Sequence, residues 1–409
     1  MSAAEPVRIG VLGRGTVGAA FAELIGERAA AVEAATGRRP EISGVLTTSE
    51  GDFDEILAGS DIVVELIGGT DPARDYVLRA LRGRKHVVAA NKQLVAQHGD
   101  ELFAAARDAG VQLRFEAAVA GVIPVIRVIQ ESLSAVELTR VFGIVNGTTN
   151  YILTEMARTG ASYEEALGQA QELGYAEADP SDDVGGADAA AKMAILARLA
   201  FHTPVRLEDV TFEGIEAITP DDIEYAKQFG LSLKLLGVAE RHDEEISVRV
   251  FPCFLYGGHP LAPVSGPFNA VMVESPSITE ITMSGPGAGG TETAAAVLGD
   301  VVSILAGDAP VHEPREELAI TRDLTSAFYL HLEVADRPGV LATVADVLGR
   351  NEVSVRSVVQ WGLGEDARLV MVMHECREAN FDAALEELGR LDFMRSQPRA
   401  IRVIEEEFG

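Results

Sequence analysis

The sequence predicts an α/β protein in three parts, and three observations carry that prediction. The first third of the 409-residue chain alternates short apolar runs with amphipathic stretches, as the strands and helices of a parallel sheet do. From Val136 onward helical patterns dominate, and strand patterns return only later. The last part, about 80 residues long, follows the order βαββαβ. We therefore expect a doubly wound parallel sheet, an α+β domain and a small C-terminal unit.

The first predicted domain covers residues 1–135. Its strands are predicted at Val7–Leu12, Glu41–Leu46, Ile62–Leu66, Val87–Ala90 and Val111–Arg114. Its helices are predicted at Val17–Ala30, Arg74–Arg82 and Gly99–Ala109. Strands separated by helices of this length indicate a Rossmann-type sheet, because a parallel neighbour requires a crossover connection.

The second predicted domain covers residues 136–320 and is expected to bind substrate and to dimerise. Its strands are predicted at Thr139–Val145, Ile246–Phe254 and Ala270–Glu274, and its helices from Tyr151, at Tyr163–Leu173 and at Asp188–Phe201. A glycine-rich turn leading into a helix, Gly285–Gly307, is expected to return to the first domain. Pro310–Arg322 is polar and contains two prolines, which is typical of a linker.

The third predicted domain covers residues 326–409. Its strands are predicted at Phe328–Val334, Val353–Gln360, Leu369–Met373 and Ile401–Ile404, and its helices at Gly339–Arg350 and Phe381–Leu391. The two middle strands are expected to form a hairpin across Gly362–Gly364. This order of elements is that of a ferredoxin-like unit.

Charge and composition exclude several classes of partner. The formal net charge of -29 argues against nucleic acid or an anionic membrane surface. No apolar run reaches the roughly 18 residues of a membrane span, and the first residues lack a signal-peptide pattern. Cys253 and Cys376 indicate neither a disulfide framework nor a zinc site. We expect a cytoplasmic protein that holds any anionic cofactor with local donors.

A dinucleotide fingerprint, GxGxxG, follows the first predicted strand. Its residues are Gly13, Arg14, Gly15, Thr16, Val17 and Gly18. Gly13 allows a tight turn, Gly15 lets a pyrophosphate approach the backbone, and Gly18 lets helix and strand pack closely. The N-terminus of the following helix adds backbone donors and a positive dipole end. Together they predict dinucleotide binding.

The end of the second predicted strand bears on the choice between NAD and NADP. NAD sites often place a carboxylate there for the ribose 2′-hydroxyl. Thr47, Thr48 and Ser49 stand at that position, and Arg14 can meet a 2′-phosphate. We expect NADP, while Glu50 keeps NAD open if the register differs by one or two residues.

The stretch Gly174–Lys192, GYAEADPSDDVGGADAAAK, carries five carboxylates ahead of one lysine. Asp188 and Lys192 are spaced i, i+4 where the helix pattern resumes, so they share one helical face. Acidic runs are often solvated loops. Most basic residues of this chain are arginines, however, and only lysine can be tuned to release a proton. Lys192 is therefore a candidate for proton chemistry.

Two further motifs lie at predicted strand-to-helix turns. Lys92 follows Val87–Ala90 at the carboxyl edge of the parallel sheet, where doubly wound folds bind ligands. Asn146, Thr148 and Thr149 supply amide and hydroxyl groups that can hold a polar substrate. Either motif alone is more often structural than catalytic.

Seven motifs occur in one order along the chain: GxGTVG, VVELIGG, AANK, EAAVAGVIPV, NGTTNYIL, GYAEADPSDDVGGADAAAK and GPGAGG. In this order they resemble the homoserine dehydrogenase family over residues 7–320. The C-terminal unit, with DRPGVLATVADVL, looks like an ACT domain, a small-molecule sensor. The resemblance implies reversible NAD(P)H-dependent reduction of L-aspartate 4-semialdehyde to L-homoserine, in threonine and methionine biosynthesis.

The same resemblance implies roles for individual residues. Lys192 would be the acid–base group, and Lys92 would bind and polarise the substrate beside the cofactor. The substrate-binding residues would be Glu177, Asp183, Asp188, Asn146, Thr148 and Thr149. Two other functions stay open: a catalytically dead sensor of nucleotide and amino acid, or another Rossmann dehydrogenase of a small aldehyde. The presence of both lysines argues against the sensor.

A monovalent-cation loop is also implied, with sodium bound by Glu116 and the carbonyl groups of Val119, Gly121 and Ile123. The sequence departs from the family at Val122, where a glycine is common and a positive φ would matter. It departs again at Glu292, where proline is common. That second departure bears on the cofactor-side role of Gly287 and Gly289.

The resemblance of the third domain implies feedback regulation by threonine. Asp336–Leu341 is the expected contact, because Pro338 suits a first helical turn and Gly339 lets a ligand approach the backbone. A domain that only dimerises is the alternative. We expect a homodimer.

Overall fold

The computed structural model describes residues 6–307, 317–362 and 367–404. The predicted linker Pro310–Arg322 and the predicted hairpin turn Gly362–Gly364 lie partly outside these residues, as do the first and last five residues of the chain. A parallel sheet and a larger mixed sheet organise the described chain. Within these ranges, no helix combines the length and the apolar character needed to span a membrane.

The first sheet is parallel and doubly wound, as predicted. Its strands are β1 (Val7–Leu12), β2 (Pro40–Leu46), β3 (Ile62–Glu65), β4 (His86–Ala89) and β5 (Leu113–Arg114). Its helices are α1 (Thr16–Thr36), α2 (Phe53–Gly59), α3 (Ala73–Arg82) and α4 (Lys92–Ala109). The strand order is β2-β1-β3-β4-β5. The order reverses between β1 and β3, which places the ligand crevice at their carboxyl ends.

Helix α4 begins at Lys92, well before the predicted start at Gly99. Asn91 makes this possible, because its side-chain oxygen accepts the backbone N–H of Leu94 at 3.0 Å and caps the helix. Gly99 lies within the helix. The cap fixes Lys92 in the first turn, at the edge of the sheet.

The mixed sheet begins in the second part of the chain. Its strands there are β6 (Arg140–Ile144), β7 (Thr211–Phe212), β8 (Leu231–His242), β9 (Glu245–Tyr256), β10 (Phe268–Ser275), β11 (Thr279–Pro286) and β12 (Ala319–Ile320). The α-helices of this part are α5 (Val125–Arg127), α6 (Gly147–Thr159), α7 (Tyr163–Glu172), α8 (Ser181–Val184), α9 (Ala187–Phe201), α10 (Pro220–Gln228) and α11 (Gly290–Ala306). The main strands follow the order β11-β10-β6-β8-β9. Helix α9 packs on β8 and β9, and α11 packs on α1 of the first sheet.

Several of these elements were not predicted, among them β8, β11 and α10. Strand β8 is a nearly continuous apolar run, and the hydrophobic periodicity of such a run does not distinguish a buried strand from a buried helix. Strand β11 occupies part of the region assigned to the glycine-rich turn, and α10 is short and polar. The predicted linker is also wrong in part, because β12 pairs with β9 at Ile246.

The C-terminal unit is ferredoxin-like, as predicted. Its elements are β13 (Thr325–Val334), α12 (Val340–Arg350), β14 (Val355–Trp361), β15 (Ala367–Met373), β16 (Cys376–Arg377), α13 (Glu378–Leu388) and β17 (Arg399–Ile404). The order β17-β13-β15-β14 continues the mixed sheet, because β17 also pairs in parallel with β9. Strand β17 therefore joins the C-terminal unit to the rest of the mixed sheet by backbone hydrogen bonds.

An ionic network lies at this junction. Glu378 accepts hydrogen bonds from Arg249 Nη1 at 2.8 Å and from Arg402 Nη2 at 3.0 Å. We call Arg249, Glu378 and Arg402 the arginine cluster. Burial raises the pKa of Glu378, but Arg402 outweighs burial and lowers that pKa overall. The cluster links β9 to α13 and β17 of the C-terminal unit, more than 100 residues further along the chain.

Candidate active site

The glycine loop between β1 and α1 has the geometry that a pyrophosphate requires. Gly13 has φ of 103°, and a Cβ there would lie 2.7 Å from the Leu66 carbonyl oxygen. A Cβ on Gly18 would lie 2.2 Å from the Gly13 carbonyl oxygen. At Gly15 no atom lies within 4 Å of such a Cβ, so the space above it is open. The loop thus fits a nicotinamide dinucleotide, whose pyrophosphate can reach the uncapped N–H groups that begin α1 at Thr16 and Val17.

The residues after β2 lie at the opposite end of this crevice from β5. Thr47 accepts the backbone N–H of Glu50 at 2.9 Å and closes a turn, in which Thr48, Ser49 and Glu50 are exposed. Arg14 in the glycine loop is exposed as well. Hydroxyl groups and Glu50 therefore follow β2, where a carboxylate is common in NAD sites, and an exposed arginine lies in the glycine loop.

Helix α11 closes the other side of the glycine loop. A Cβ on Gly290 would lie 2.9 Å from the Thr16 side chain, so the two helix N-termini nearly touch. Gly289 has φ of 152°, and the Glu292 carboxylate lies where its Cβ would be. Glutamate in place of proline at 292 therefore leaves the helix start intact and adds an acidic group beside Gly289.

Two lysines from different parts of the chain meet on one carboxylate. Asp188 Oδ2 accepts from Lys192 Nζ at 2.7 Å, one helical turn along α9, and Asp188 Oδ1 accepts from Lys92 Nζ. Lys192 Nζ also donates to the Val145 carbonyl at 2.7 Å. We call Lys92, Asp188 and Lys192 the lysine cluster. The sequence predicted that Asp188 and Lys192 share a helical face, and the fold brings Lys92 to them at the carboxyl edge of β4.

The pKa values in the lysine cluster reflect burial and the presence of two ammonium groups beside one carboxylate. Burial raises the pKa of Asp188, but Lys192 and Lys92 outweigh burial and hold that pKa well below its usual range. Burial lowers the pKa of Lys92, and Asp188 outweighs burial and raises it overall. Two ammonium groups share one carboxylate, and the Lys92 side chain is still 36% exposed. The site therefore has hydrogen-bond donors left for an incoming oxygen atom.

The turn before α6 supports the lysine cluster. Asn146 Oδ1 caps the helix by accepting the Thr149 N–H at 2.8 Å, and its Nδ2 donates to Asp183 Oδ1 at 2.6 Å and Asp188 Oδ2 at 2.9 Å. Burial raises the pKa of Asp183. The Thr149 hydroxyl is buried and donates to Asn146. Asn146 and Asp183 thus join the cluster, while Thr149 holds the turn together.

The acidic loop before α8 is anchored at its beginning and exposed beyond. Thr148 donates its hydroxyl hydrogen to the Tyr175 carbonyl at 2.6 Å. Glu177 is exposed, and its own carbonyl accepts from Gln171 at 3.1 Å. Among the described residues, its carboxylate makes no contact with the lysine cluster. The structure does not bring Glu177 and Asp188 together.

The predicted cation loop is held by hydrogen bonds of its own. The buried Glu116 carboxylate accepts the N–H groups of Ile126 at 2.8 Å and Arg127 at 2.9 Å. The Glu116 N–H donates to Asp300 at 2.8 Å. Burial and the neighbouring Asp300 raise the pKa of Glu116 to about 7, and burial raises that of Asp300 to about 6. Among the described residues, no group of three or more acidic, histidine or cysteine side chains is arranged to hold a metal ion.

Valine at 122 does not disturb this loop. The residues with positive φ are Ala120, at 57°, and Gly121, at 63°. Gly121 is required, because a Cβ there would lie 2.6 Å from the Gly287 carbonyl oxygen. Val119, Gly121 and Ile123 follow β5, at the carboxyl edge of the first sheet.

The sequence analysis missed one carboxylate in the crevice. Glu65, the last residue of β3, is fully buried, and its Oε1 accepts the N–H groups of Ile67 at 2.8 Å and Gly68 at 3.2 Å. Burial raises its pKa. The signal was available as one acidic residue at the end of an apolar strand. Its role in the structure is to shape the turn that faces Gly13.

This fold and this site define a nicotinamide-dependent oxidoreductase with a C-terminal ferredoxin-like domain. Family models described as homoserine dehydrogenase, NAD binding domain, and as homoserine dehydrogenase match residues 13–116 and 124–302, and an ACT domain model matches 329–393. The homoserine dehydrogenase of Mycobacterium tuberculosis is 41% identical over 98% of both chains. The chain belongs to the homoserine dehydrogenase family.

Solved structures agree with this assignment. A homoserine dehydrogenase from Thiobacillus denitrificans superposes with a TM-score of 0.94 at 35% identity, covering 98% of this chain and 99% of that one. A hyperthermophilic archaeal homoserine dehydrogenase in complex with NADPH gives a TM-score of 0.65 at 25% identity. That comparison covers 75% of this chain and 99% of the archaeal chain.

Proposed function

We propose that this protein interconverts L-aspartate 4-semialdehyde and L-homoserine with a nicotinamide cofactor. The observation that carries the proposal is the lysine cluster, with Asp188 shared by Lys92 and Lys192 at the carboxyl edge of a dinucleotide-binding sheet. Bound NAD(P) supplies or accepts the hydride. The protein itself must supply or remove one proton at the substrate oxygen and stabilise the charge that develops there.

Lys192 is the proposed proton donor and acceptor. Its ammonium has three N–H groups, of which Asp188 and the Val145 carbonyl take two. The third is free to donate to the carbonyl oxygen of the aldehyde. Lys92 binds and polarises the same end of the substrate, and its position in α4 keeps it beside the cofactor.

The acidic residues orient the amino-acid end of the substrate. Asp183 and Asp188 offer carboxylate oxygens to the substrate ammonium group. Glu177, which is exposed in the acidic loop, is the third acid predicted for this role. Asn146, Thr148 and Thr149 hold the turn that positions these acids. Opposed charges of this kind orient a zwitterion relative to the reacting carbon.

Oxidation of L-homoserine, followed by the absorbance of the reduced nicotinamide, tests this function. Turnover with NADP or NAD confirms the reaction and the substrate. Binding of nucleotide without turnover contradicts it and favours the dead sensor. Oxidation of small aldehydes without an amino group would favour the other dehydrogenase.

NADP is the proposed preferred cofactor. The support is the exposed guanidinium of Arg14, the hydroxyl groups after β2 and the solved archaeal relative that holds NADPH. Arg14→Ala is expected to raise the KM for NADP about tenfold and to leave the KM for NAD unchanged. An equal change in both KM values contradicts a contact with the 2′-phosphate.

Sodium at Glu116 stays a prediction. Its support is the left-handed turn at Ala120 and Gly121 and the buried carboxyl group of Glu116, whose backbone N–H is held by Asp300. Activity in sodium chloride and in tetramethylammonium chloride at equal ionic strength checks it. Equal rates in the two salts contradict it.

Threonine is the proposed effector of the ACT domain. A cavity of about 420 Å³ at the start of α12 has both charged and apolar walls, as a small amino acid requires. Its lining includes Asp336, Arg337, Gly339, Leu341 and Gln360. The exposed apolar side chains of Leu341 and Val358 support a homodimer formed through this unit. Threonine without effect on activity or thermal stability contradicts the sensor. The cytoplasmic location stays a prediction.

A further inference from the structure

A buried amide in the catalytic domain has no hydrogen-bond partner. Asn269 on β10 is 1% exposed, and among the described residues neither its Oδ1 nor its Nδ2 is paired. A buried amide left without partners destabilises a folded chain, because both groups lose their hydrogen bonds to water. Such a group points to a bound molecule that supplies the missing partners.

The surrounding backbone holds the Asn269 amide in one place. The amide lies against the Cα of Gly287, where a Cβ would be 2.4 Å from Oδ1 and 2.7 Å from Nδ2. Gly121 packs on the same segment, since its Cβ would lie 2.6 Å from the Gly287 carbonyl oxygen. Glycine at 287 is thus required by Asn269, and both border the loop that follows β5.

Another buried amide in the same domain shows the contrast. Asn150 Nδ2 donates to the carbonyl groups of Gly266 at 2.9 Å and Phe268 at 3.1 Å. The fold therefore pairs a purely structural asparagine close by. Asn269, next to Phe268 in sequence, is left unpaired at the end of its strand that faces the active site.

The position of Asn269 matches the nicotinamide end of the crevice. Ala270 pairs with Ile144, so Asn269 lies one residue further along, beside Val145, whose carbonyl holds Lys192. The adenosine end of the cofactor lies at β2, and the dinucleotide crosses the sheet from there. Its other end therefore reaches β4 and β5, where Lys92 and Gly121 are found.

We propose that Asn269 binds the carboxamide group of the nicotinamide ring. Asn269 Nδ2 donates to the carboxamide oxygen, and the carboxamide N–H donates to Asn269 Oδ1. This reciprocal pair satisfies both unpaired atoms at once. A cation would bind only Oδ1 and would be repelled by the Nδ2 hydrogens. The charged groups of the substrate are instead matched by the oppositely charged side chains of the lysine cluster. The inference rests on the proposed nicotinamide-dependent function.

Cofactor binding measured by fluorescence titration tests the proposal. Asn269→Ala is expected to weaken NADPH binding about tenfold to hundredfold, because two buried hydrogen bonds are lost. Binding of 2′-phospho-ADP-ribose, which lacks the nicotinamide, is expected to stay unchanged. The 3-acetylpyridine analogue of NADPH lacks the N–H donor of the carboxamide. It should therefore bind the wild type more weakly than NADPH does, whereas Asn269→Ala should bind the analogue and NADPH about equally well.

Thermal stability of the protein without cofactor separates binding from structure. Asn269 has no partner to lose, so Asn269→Ala should unfold near the wild-type temperature, whereas the control Asn150→Ala should unfold at a lower one. The control should keep the wild-type ratio of NADPH to analogue affinity.

An unchanged NADPH affinity in Asn269→Ala, or an equal loss for 2′-phospho-ADP-ribose, overturns the proposal. A variant that unfolds like Asn150→Ala and keeps the wild-type affinity ratio overturns it as well. Normal analogue discrimination without homoserine oxidation would overturn the proposed reaction and leave this site standing.

Discussion

The lysine cluster and the arginine cluster share one arrangement, a buried carboxylate between two cations, and both join separate domains. Asp188 lies between Lys92 and Lys192, and Glu378 lies between two arginines. In the arginine cluster each cation has a second carboxylate. Arg249 donates to Glu240 at 3.0 Å, and Arg402 donates to Glu213 at 2.7 Å.

The type of cation in each cluster indicates its role: the lysine cluster suits chemistry, and the arginine cluster suits stabilisation of the fold. Arginine cannot release its proton in a protein and presents a planar fork that suits fixed pairing, whereas lysine presents mobile donors and can exchange a proton. In the arginine cluster each guanidinium contacts two carboxylates, so the positive charges are matched by acids. The lysine cluster has too few acceptors for its donors. Substitutions should therefore affect activity in the first region and stability in the second.

Among the substitutions that test this comparison, Lys192→Ala should have the largest effect. We expect kcat to fall by roughly 10²–10⁴, because the substrate oxygen loses its proton donor, while cofactor binding stays intact. Steady-state kinetics and NADPH titration measure both. Lys227→Ala removes a lysine that also donates to a backbone carbonyl, Ala157, outside the site, and should retain turnover. Near wild-type turnover in Lys192→Ala would refute the assignment of the proton donor.

Asp188→Asn should have the next largest effect. Loss of the shared carboxylate lets both ammonium groups move, which is expected to lower kcat/KM up to about 10²-fold. Asp188 raises the pKa of Lys92, so its removal lowers that pKa, and Lys92 loses its proton at lower pH. The basic limb of the pH profile of kcat/KM should move to lower pH. A basic limb that stays in place contradicts the coupling.

Glu378→Gln should act on stability alone. Removing the shared carboxylate leaves two partly buried guanidinium groups underpaired, at a cost of about 3 kcal/mol in the free energy of unfolding. Urea unfolding followed by circular dichroism measures it, with kcat expected to stay close to wild type.

The loss of stability in Glu378→Gln should depend on pH in a definite direction. The folded pKa of Glu378 is lowered, so its contribution is present above its unfolded pKa and is lost as pH falls through the folded value. The difference in the free energy of unfolding between wild type and Glu378→Gln should therefore become smaller at acidic pH. A constant gap, or a large loss of kcat, would mean that the two regions are not separable.

Arg402→Lys is the smallest and most specific test. It keeps the charge but loses the fork that reaches Glu378 and Glu213 together, so we expect a loss of about 1 kcal/mol in the free energy of unfolding. Arg390→Lys, at an exposed turn after α13, is the control and should leave the melting temperature unchanged. Equal melting temperatures for all three proteins would show that any cation serves at this position.

Short-range backbone constraints were readable from the sequence. Gly13, Gly15 and Gly18 act within one turn, so their spacing sufficed to predict the strand, the loop and the start of α1. Asp188 and Lys192 lie four residues apart, which fixes their common face. The functions of Lys92 and Asp183 rested on resemblance, because only the folded chain brings these residues to Asp188.

Long-range contacts were not readable from the sequence. The arginine cluster joins Arg249, Glu378 and Arg402 through strand pairings that no local pattern encodes. Asn269 looked like an ordinary polar residue at a strand end, because its lack of partners is a property of the packed interior. Strand β8 was missed because an apolar run suits a helix as well as a strand.

The parallel pairing of β17 with β9 has a consequence for how the chain can be shortened. Val403 lies beside Phe254, and within the described part of the chain β17 is the second neighbour of β9 along this stretch, opposite β8. A truncation before Arg399 would expose unsatisfied amide and carbonyl groups flanked by apolar side chains, which is a template for self-association. Removing the C-terminal unit is therefore not a neutral operation for the catalytic sheet, and ribosomal synthesis must reach β17 before this edge of the sheet is finished.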